Sequence, residues 1–310
     1  MAISKTTPEQ KIPFTKRFKQ SFATGFAVVL IKGFALLPLS VAQAIGKFVG
    51  TLLYWLPNRQ RFLAECNLRA VYPELSQEQR NKLLKQVLQH NAQAICESGA
   101  MWRWNQQRLL NSVREVHGLE LLEQAFAQGK GVLMLGPHIG NWEVVGNYLA
   151  IHYPSTVMYK PPNLQGLEQM MREARGRFGS ELVPTDLSGI RQLIKALRSN
   201  KLSAILPDQD AGEGAPKVPF MSVPARTMGL VSKLLQKSEA EVLFMVGLRH
   251  PQGGFVLHVL PADRDALADA DPIKAAIALN QGVEQCIKMA PEQYLWTYRR
   301  FRGTPGIYQK

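Results

Sequence analysis

Residues Val132 to Glu143 read VLMLGPHIGNWE, and Val144 to Ile151 continue as VVGNYLAI. A short apolar run closed by Gly136 and Pro137 predicts a buried strand, Gly131 to Leu135, and the apolar spacing that follows predicts a helix over Asn141 to Ile151. Working outward, the same alternation recurs. Ser155 to Tyr159, Leu202 to Leu206, Glu241 to Leu248 and Gly254 to Leu260 read as strands. Leu164 to Phe178, Ser188 to Arg198, Thr227 to Gln236 and Asp271 to Ala290 read as helices. Strands alternating with helices imply an α/β sheet with helices on its faces. Ahead of it, Arg59 to about Asn111 has a helical rhythm broken at Pro73 and Ser76.

In open α/β sheets, ligands bind beyond the carboxyl ends of the strands, which is where VLMLGPH delivers His138. Glu143, expected in the first turn of the following helix, is favoured there by the helix dipole and is placed to reach back to the imidazole. A carboxylate on one ring nitrogen fixes the tautomer and raises basicity at the other, which suits removal of a proton from a hydroxyl. Backbone N–H groups at the same helix start could stabilise an oxyanion. The alternative is that His138 and Glu143 are structural. A metal site is disfavoured, because one His and one carboxylate leave zinc short of ligands and His90, His117, His152, His250 and His258 add no supporting spacing. No GxSxG elbow is present and no Cys has a nucleophile's setting.

The chain has 310 residues, 46% of them hydrophobic, which suits a folded globular protein and excludes a disordered or collagenous one. Thirty-seven Lys and Arg against 24 Asp and Glu predict an anionic partner. Three scattered cysteines, Cys66, Cys96 and Cys286, exclude a disulfide scaffold and a CxxC metal site. Residues 1–20 are basic, with Lys5, Lys11, Lys16, Arg17 and Lys19. Between Ser21 and Pro57 the only charges are Lys32 and Lys47. The resulting runs, Ser21 to Ile31 and Gly33 to Gly46, each fall short of the ~20 residues of a spanning helix, and no signal-peptide cleavage pattern follows. Two readings stand: a membrane anchor flanked by headgroup-binding cations, Arg59 and Arg61 included, or a buried helical pair kinked near Pro38. The organisation expected is 1–57 as basic N-terminus and anchor, and 58–310 as one catalytic domain.

HIGNWE resembles the motif of the glycerolipid acyltransferase superfamily in which a His is followed, after four residues, by Asp or Glu. The wider match is to the late acyltransferases of lipid A biosynthesis, the lauroyl and myristoyl transferases of Gram-negative bacteria. It rests on RFLAECNLRAVYP (Arg61 to Pro73), YKPPN (Tyr159 to Asn163), RGRFG (Arg175 to Gly179), LIKAL (Leu193 to Leu197), PDQDAG (Pro207 to Gly212), VPF (Val218 to Phe220) and APEQYLWTYRRFR (Ala290 to Arg302). The FPEG-type block of the phosphatidic-acid branch is absent. The resemblance implies a mixed sheet flanked by helices with an N-terminal membrane-anchoring segment. It implies that His138 deprotonates an acceptor hydroxyl, that Glu143 supports the imidazole, and that the hydroxyl attacks an acyl thioester on acyl carrier protein. Asn141, Arg175, Asp208 and Asp210 are then the expected substrate-binding residues, Arg175 as an anion binder. Asp208 and Asp210 either organise the site or cap a loop. Lys160 stands where the family has Arg, keeping the charge and losing a bidentate contact. No cofactor is implied. The implied partners are acyl carrier protein, a phosphorylated glycolipid of the lipid A precursor (Kdo-lipid IVA) type and the cytoplasmic face of a bacterial inner membrane, not nucleic acid. Another glycolipid or aminolipid acceptor fits the same chemistry, and a basic nucleic-acid- or membrane-binding module is the non-enzymatic rival. The aromatic run Tyr294, Trp296 and Tyr298 before Arg299, Arg300 and Arg302 suits either base stacking or, as expected here, packing of the chain's end.

Overall fold

The computed structural model describes residues 14–159 and 165–309, with side chains from residue 24 onward and excepting 165. Lys5, Lys11, Lys160 to Asn163, and the side chains of Lys16, Arg17 and Lys19 therefore lie outside the described residues. The described residues begin with five helices: α1 (Phe14–Leu36), α2 (Leu39–Trp55), α3 (Arg59–Val71), α4 (Gln77–Arg103) and α5 (Gln106–Leu110). Then follow β1 (Val113–His117), α6 (Leu119–Ala127), β2 (Val132–Leu135), α7 (Trp142–His152) and β3 (Ser155–Tyr159). Beyond them come α8 (Glu168–Gly176), β4 (Glu181–Pro184), α9 (Leu187–Arg198), β5 (Leu202–Ile205), β6 (Lys217–Phe220) and β7 (Val223–Arg226). The chain closes with α10 (Leu230–Lys237), β8 (Glu241–Arg249), β9 (Phe255–Pro261), α11 (Arg264–Leu267) and α12 (Pro272–Met289).

Seven strands form one sheet in the order β1-β9-β8-β2-β5-β3-β4, and β6 and β7 pair separately. The sheet is mixed, because β9 runs antiparallel to β8 while the other pairings are parallel. Strand β2 shows why an uninterrupted apolar run is needed at the centre. Successive side chains of a strand point to opposite faces. Val132 and Met134 pack with α6 and α7, whereas Leu133 and Leu135 pack with α9, α10 and α12. All four are buried, so neither face tolerates a polar residue.

Ser76 caps α4 and exchanges hydrogen bonds with Gln79 in a capping box, which starts the helix where the sequence breaks. The N-terminal segment is two helices broken at Leu37 and Pro38, with α2 laid along α4. Gly46 and Gly50 permit that approach: a Cβ there would lie 2.5 Å from the Gln93 Cα and 2.3 Å from the Gln89 Cα. The outer side stays apolar and uncovered, with Phe26, Val29, Leu36, Phe48 and Trp55 all more than half exposed. No single described helix is long and apolar enough to cross a membrane; α2 and α3 reach that length only as a pair bent by 79°. The described helices of this segment are thus a pair broken near Pro38, with one face on α4 and one apolar face open.

Candidate functional site

His138 follows β2 by three residues, and Asp208 follows β5 by three residues. Because Leu135 pairs with Ile205 in parallel register, the two side chains emerge side by side at the carboxyl edge of the sheet. The His138 ring donates from Nδ1 to Asp208 Oδ1 at 2.8 Å, and the His138 backbone N–H donates to Asp208 Oδ2 at 3.1 Å. An ionised carboxylate only accepts, so the ring carries its proton on Nδ1 and keeps a lone pair on Nε2. Gln209 agrees with that tautomer, since its amide nitrogen lies 3.2 Å from Nε2. Asp208 is buried, and burial, the largest influence, pushes its carboxyl up. The charge that His138 carries once it is protonated, and the hydrogen bonds from the His138 ring, the His138 backbone and Tyr294, together outweigh it and hold the pKa below the ordinary value.

The partner of His138 is therefore a different carboxylate from the one its spacing suggests. Glu143 does lie in the first turn of α7, but its Oε1 accepts from Arg175 Nη2 at 2.6 Å. Five residues close one helical turn only if all are helical. Here Gly140 has φ +61 and bridges to Gly247, and Asn141 is the cap, so residues 138–141 turn away before the helix begins. A Cβ on Gly140 would meet the Gly247 oxygen at 2.0 Å, which makes glycine obligatory at that point. The residue between the two ionic pairs is Trp142, whose ring meets the His138 ring edge-on at 5.0 Å.

Arg175, on the last turn of α8, sits near the face of Tyr159. Its pKa is raised, first by the charge of Glu143. Trp142, Glu143, Gly146, Met158, Arg175 and Leu206 line a cavity of about 100 Å³ between α7 and the sheet edge. A second cavity of about 230 Å³, walled by Leu53, Leu88, Ile95 and Leu295 among others, is also bordered by Trp142. Asn141, expected to bind substrate, is turned inward instead. Its Oδ1 accepts from the Val144 N–H at 3.0 Å and its Nδ2 donates to Glu97 at 2.8 Å, leaving it 3% exposed. Asp210 lies near Tyr298 and Arg300, and its Oδ1 is buried without a hydrogen-bond partner among the described residues.

Residues 293–295 brace the loop that carries His138. Leu295 N–H donates to the His138 carbonyl, Gly140 N–H donates to the Gln293 carbonyl, and Trp296, Arg300 and Phe301 are buried in the core. The aromatic run is packing, as expected. Glu97 and Arg249 belong to no motif in the sequence, yet they join this site. Glu97 is completely buried and receives both Nε and Nη2 of Arg249 at 2.8 and 2.7 Å. Among the described residues no group of three or more His, Cys, Asp or Glu side chains is arranged to hold a metal ion.

A family model described as bacterial lipid A biosynthesis acyltransferase matches residues 12–303. The lipid A biosynthesis palmitoleoyltransferase of Escherichia coli (strain K12) is 30% identical over 275 residues, covering 87% of each chain. The lauroyltransferase of the same organism is 29% identical over 272 residues, covering 87% of this chain and 88% of the relative. Its myristoyltransferase is 24% identical over 320 residues, covering 100% and 97%.

Proposed function

The chain belongs to the bacterial lipid A biosynthesis acyltransferases, and from that premise we propose that it moves a saturated fatty acyl chain of the lauroyl or myristoyl class from acyl carrier protein to a hydroxyl of a phosphorylated lipid A precursor. The observation that carries the reading is His138 at the strand edge, its Nδ1–H held by Asp208 and its Nε2 lone pair facing the side-chain amide of Gln209. The acceptor hydroxyl displaces Gln209 and gives its proton to Nε2 as its oxygen attacks the thioester carbonyl. The carbon–sulfur bond then breaks, and the imidazolium returns the proton to the departing thiolate. Asp208 keeps the tautomer and stabilises the imidazolium. The N–H groups of Trp142 and Glu143, which have no partner among the described residues at the start of α7, stabilise the oxyanion.

Glu143 and Arg175 stand beside this centre as one ionic pair, with Arg175 offering its remaining N–H groups to a phosphate or sugar acid of the acceptor and Asp210 a carboxylate to its hydroxyls. The cavities flanking Trp142 receive the apolar chain. The three relatives are named for three different acyl groups, so chain length depends on how deeply those cavities are filled. The open apolar side of α1 and α2, with Arg59 and Arg61 following it, seats the enzyme on the cytoplasmic face of an inner membrane. The excess of basic residues attracts acyl carrier protein and the phosphorylated acceptor alike.

The test is transfer from acyl-(acyl carrier protein) to a purified tetra-acylated lipid A precursor bearing its sugar acids, read by mass spectrometry of the product, with His138→Ala as control. A product heavier by one acyl group with the parent, and none with His138→Ala, is expected. Transfer by His138→Ala at the parent rate would remove the base from the mechanism.

A further inference from the structure

Glu97 sits in the last two turns of α4 with no exposure, and burying a carboxylate costs several kcal/mol unless its charge and lone pairs are matched. Here the matching is complete. Oε1 accepts from Gln43 Nε2 at 2.9 Å and Arg249 Nε at 2.8 Å, while Oε2 accepts from Asn141 Nδ2 at 2.8 Å and Arg249 Nη2 at 2.7 Å. The four donors come from three separate places: α2, the cap of α7, and the end of β8.

Two of these contacts lead to His138. Through Asn141, Glu97 fixes the cap of α7, and the first turn of α7 carries Trp142 against the imidazole and Glu143 against Arg175. Through Arg249, whose backbone N–H donates to Gln293 Oε1 at 2.9 Å, it steadies the segment whose Gln293 carbonyl and Leu295 N–H bond to Gly140 and His138. The loop 138–141 is thus held from both ends by groups that converge on one carboxylate. The remaining contact, Gln43, belongs to the N-terminal helical pair.

We infer that Glu97 is a positioning residue for the His138 centre, and that α2, through Gln43, helps hold the geometry of the reaction as well as covering α4. The inference rests on His138 acting as the base. A misplacement of about 1 Å at a reacting group costs on the order of 10²-fold in rate. Loosening Glu97 should accordingly lower kcat far more than it alters KM for donor or acceptor.

The experiment uses the full chain in detergent–lipid micelles, with donor and acceptor varied separately and thermal unfolding followed on the same samples. Glu97→Gln is expected to lose on the order of 10²-fold in kcat, with both apparent KM values within about threefold. Gln43→Leu should lose less, in the same parameter, with an unfolding midpoint close to the parent's. Asn141→Asp sets two carboxylates against each other and should also be slow. Joining it to Glu97→Gln exchanges amide and carboxylate, restores the 97–141 hydrogen bond, keeps an acceptor for the Val144 N–H and leaves one carboxylate near Arg249. That double variant should be at least about tenfold faster than either single variant. The reciprocal rescue also carries the test if Glu97→Gln alone fails to fold. Parent kcat in folded Glu97→Gln, or a double variant no faster than the slower single one, would overturn the inference while leaving the base assignment standing. Full activity in His138→Ala would remove both.

Discussion

Asp208→Asn is the substitution that decides which carboxylate serves the imidazole. In the structure one oxygen of Asp208 accepts from the His138 ring and the other from the His138 backbone N–H, at 2.8 and 3.1 Å. An amide can satisfy both only by turning its oxygen toward the backbone N–H, which cannot change its role, and its NH₂ toward Nδ1, which can. The ring proton then moves to Nε2, the nitrogen that has to accept the substrate's proton. Loss of the basic lone pair through the wrong tautomer costs about 10⁴ in kcat in a hydrolase triad, or about 5.5 kcal/mol at 1.36 kcal/mol per decade. The same order is expected here, with KM little changed because Asp208 acts on the substrate only through His138. Glu143→Gln breaks the ion pair with Arg175 but leaves the tautomer alone, and it should lose no more than on the order of 10²-fold. Single-turnover transfer under saturating donor and acceptor, on variants with parental unfolding midpoints, makes the comparison. Asp208→Asn within tenfold of the parent, with Glu143→Gln inactive, would refute the pairing and return Glu143 to the imidazole. The pH dependence points the same way. A carboxylate with a depressed folded pKa contributes stability that is present above its unfolded value, near 3.8, and lost as pH falls through the folded value, so Asp208 stays ionised across the working range.

Three further outcomes are expected. His90 is held down to about 3 by burial first and then by Arg249 and Lys47; a depressed His gives stability that is full above 6.5 and falls toward 3, a loss of about 2 kcal/mol at pH 5, and His90→Gln should remove that share of the difference in urea unfolding between pH 7.5 and 5. Gly146 faces the smaller cavity with open space where a Cβ would stand, so Gly146→Leu should shorten the preferred acyl chain in competition assays with mixed donors, and unchanged selectivity would place the chain elsewhere. Phe48→Ser with Trp55→Ser should weaken sedimentation with anionic vesicles at high salt while the unfolding midpoint hardly moves, because both side chains are already more than 60% exposed; a large fall in the midpoint would make that face an internal contact instead.

What the sequence reveals and conceals follows the range of the forces involved. VLML declares β2 because both faces of a central strand are buried, whereas VREVH and ELVP, the edge strands β1 and β4, carry too few apolar residues to stand out. The apolar runs before Pro57 leave two readings open for a related reason. Lipid and a protein core ask for the same side chains, and the inner face of α2 is marked only by small or polar residues, Ala42, Gln43, Gly46 and Gly50, that no apolar count singles out. His138 is visible because its signal is local, a His where a strand ends. Its partner is hidden because Asp208 lies 70 residues away and becomes a neighbour only through the β2–β5 pairing, a matter of strand order that no spacing encodes. PDQD does mark a strand end, so the residue could be found and its partner could not. Glu97 is harder still, since between Cys96 and Ser98 it belongs to no motif, and its meaning comes wholly from the three elements that converge on it. The spacing of His138 and Glu143 is a fact about chain length, and chain length sets a distance only when the intervening backbone is regular. Gly140, with its positive φ and its bridge to Gly247, removes that regularity and frees His138 to turn toward the neighbouring strand's carboxylate and Glu143 toward Arg175.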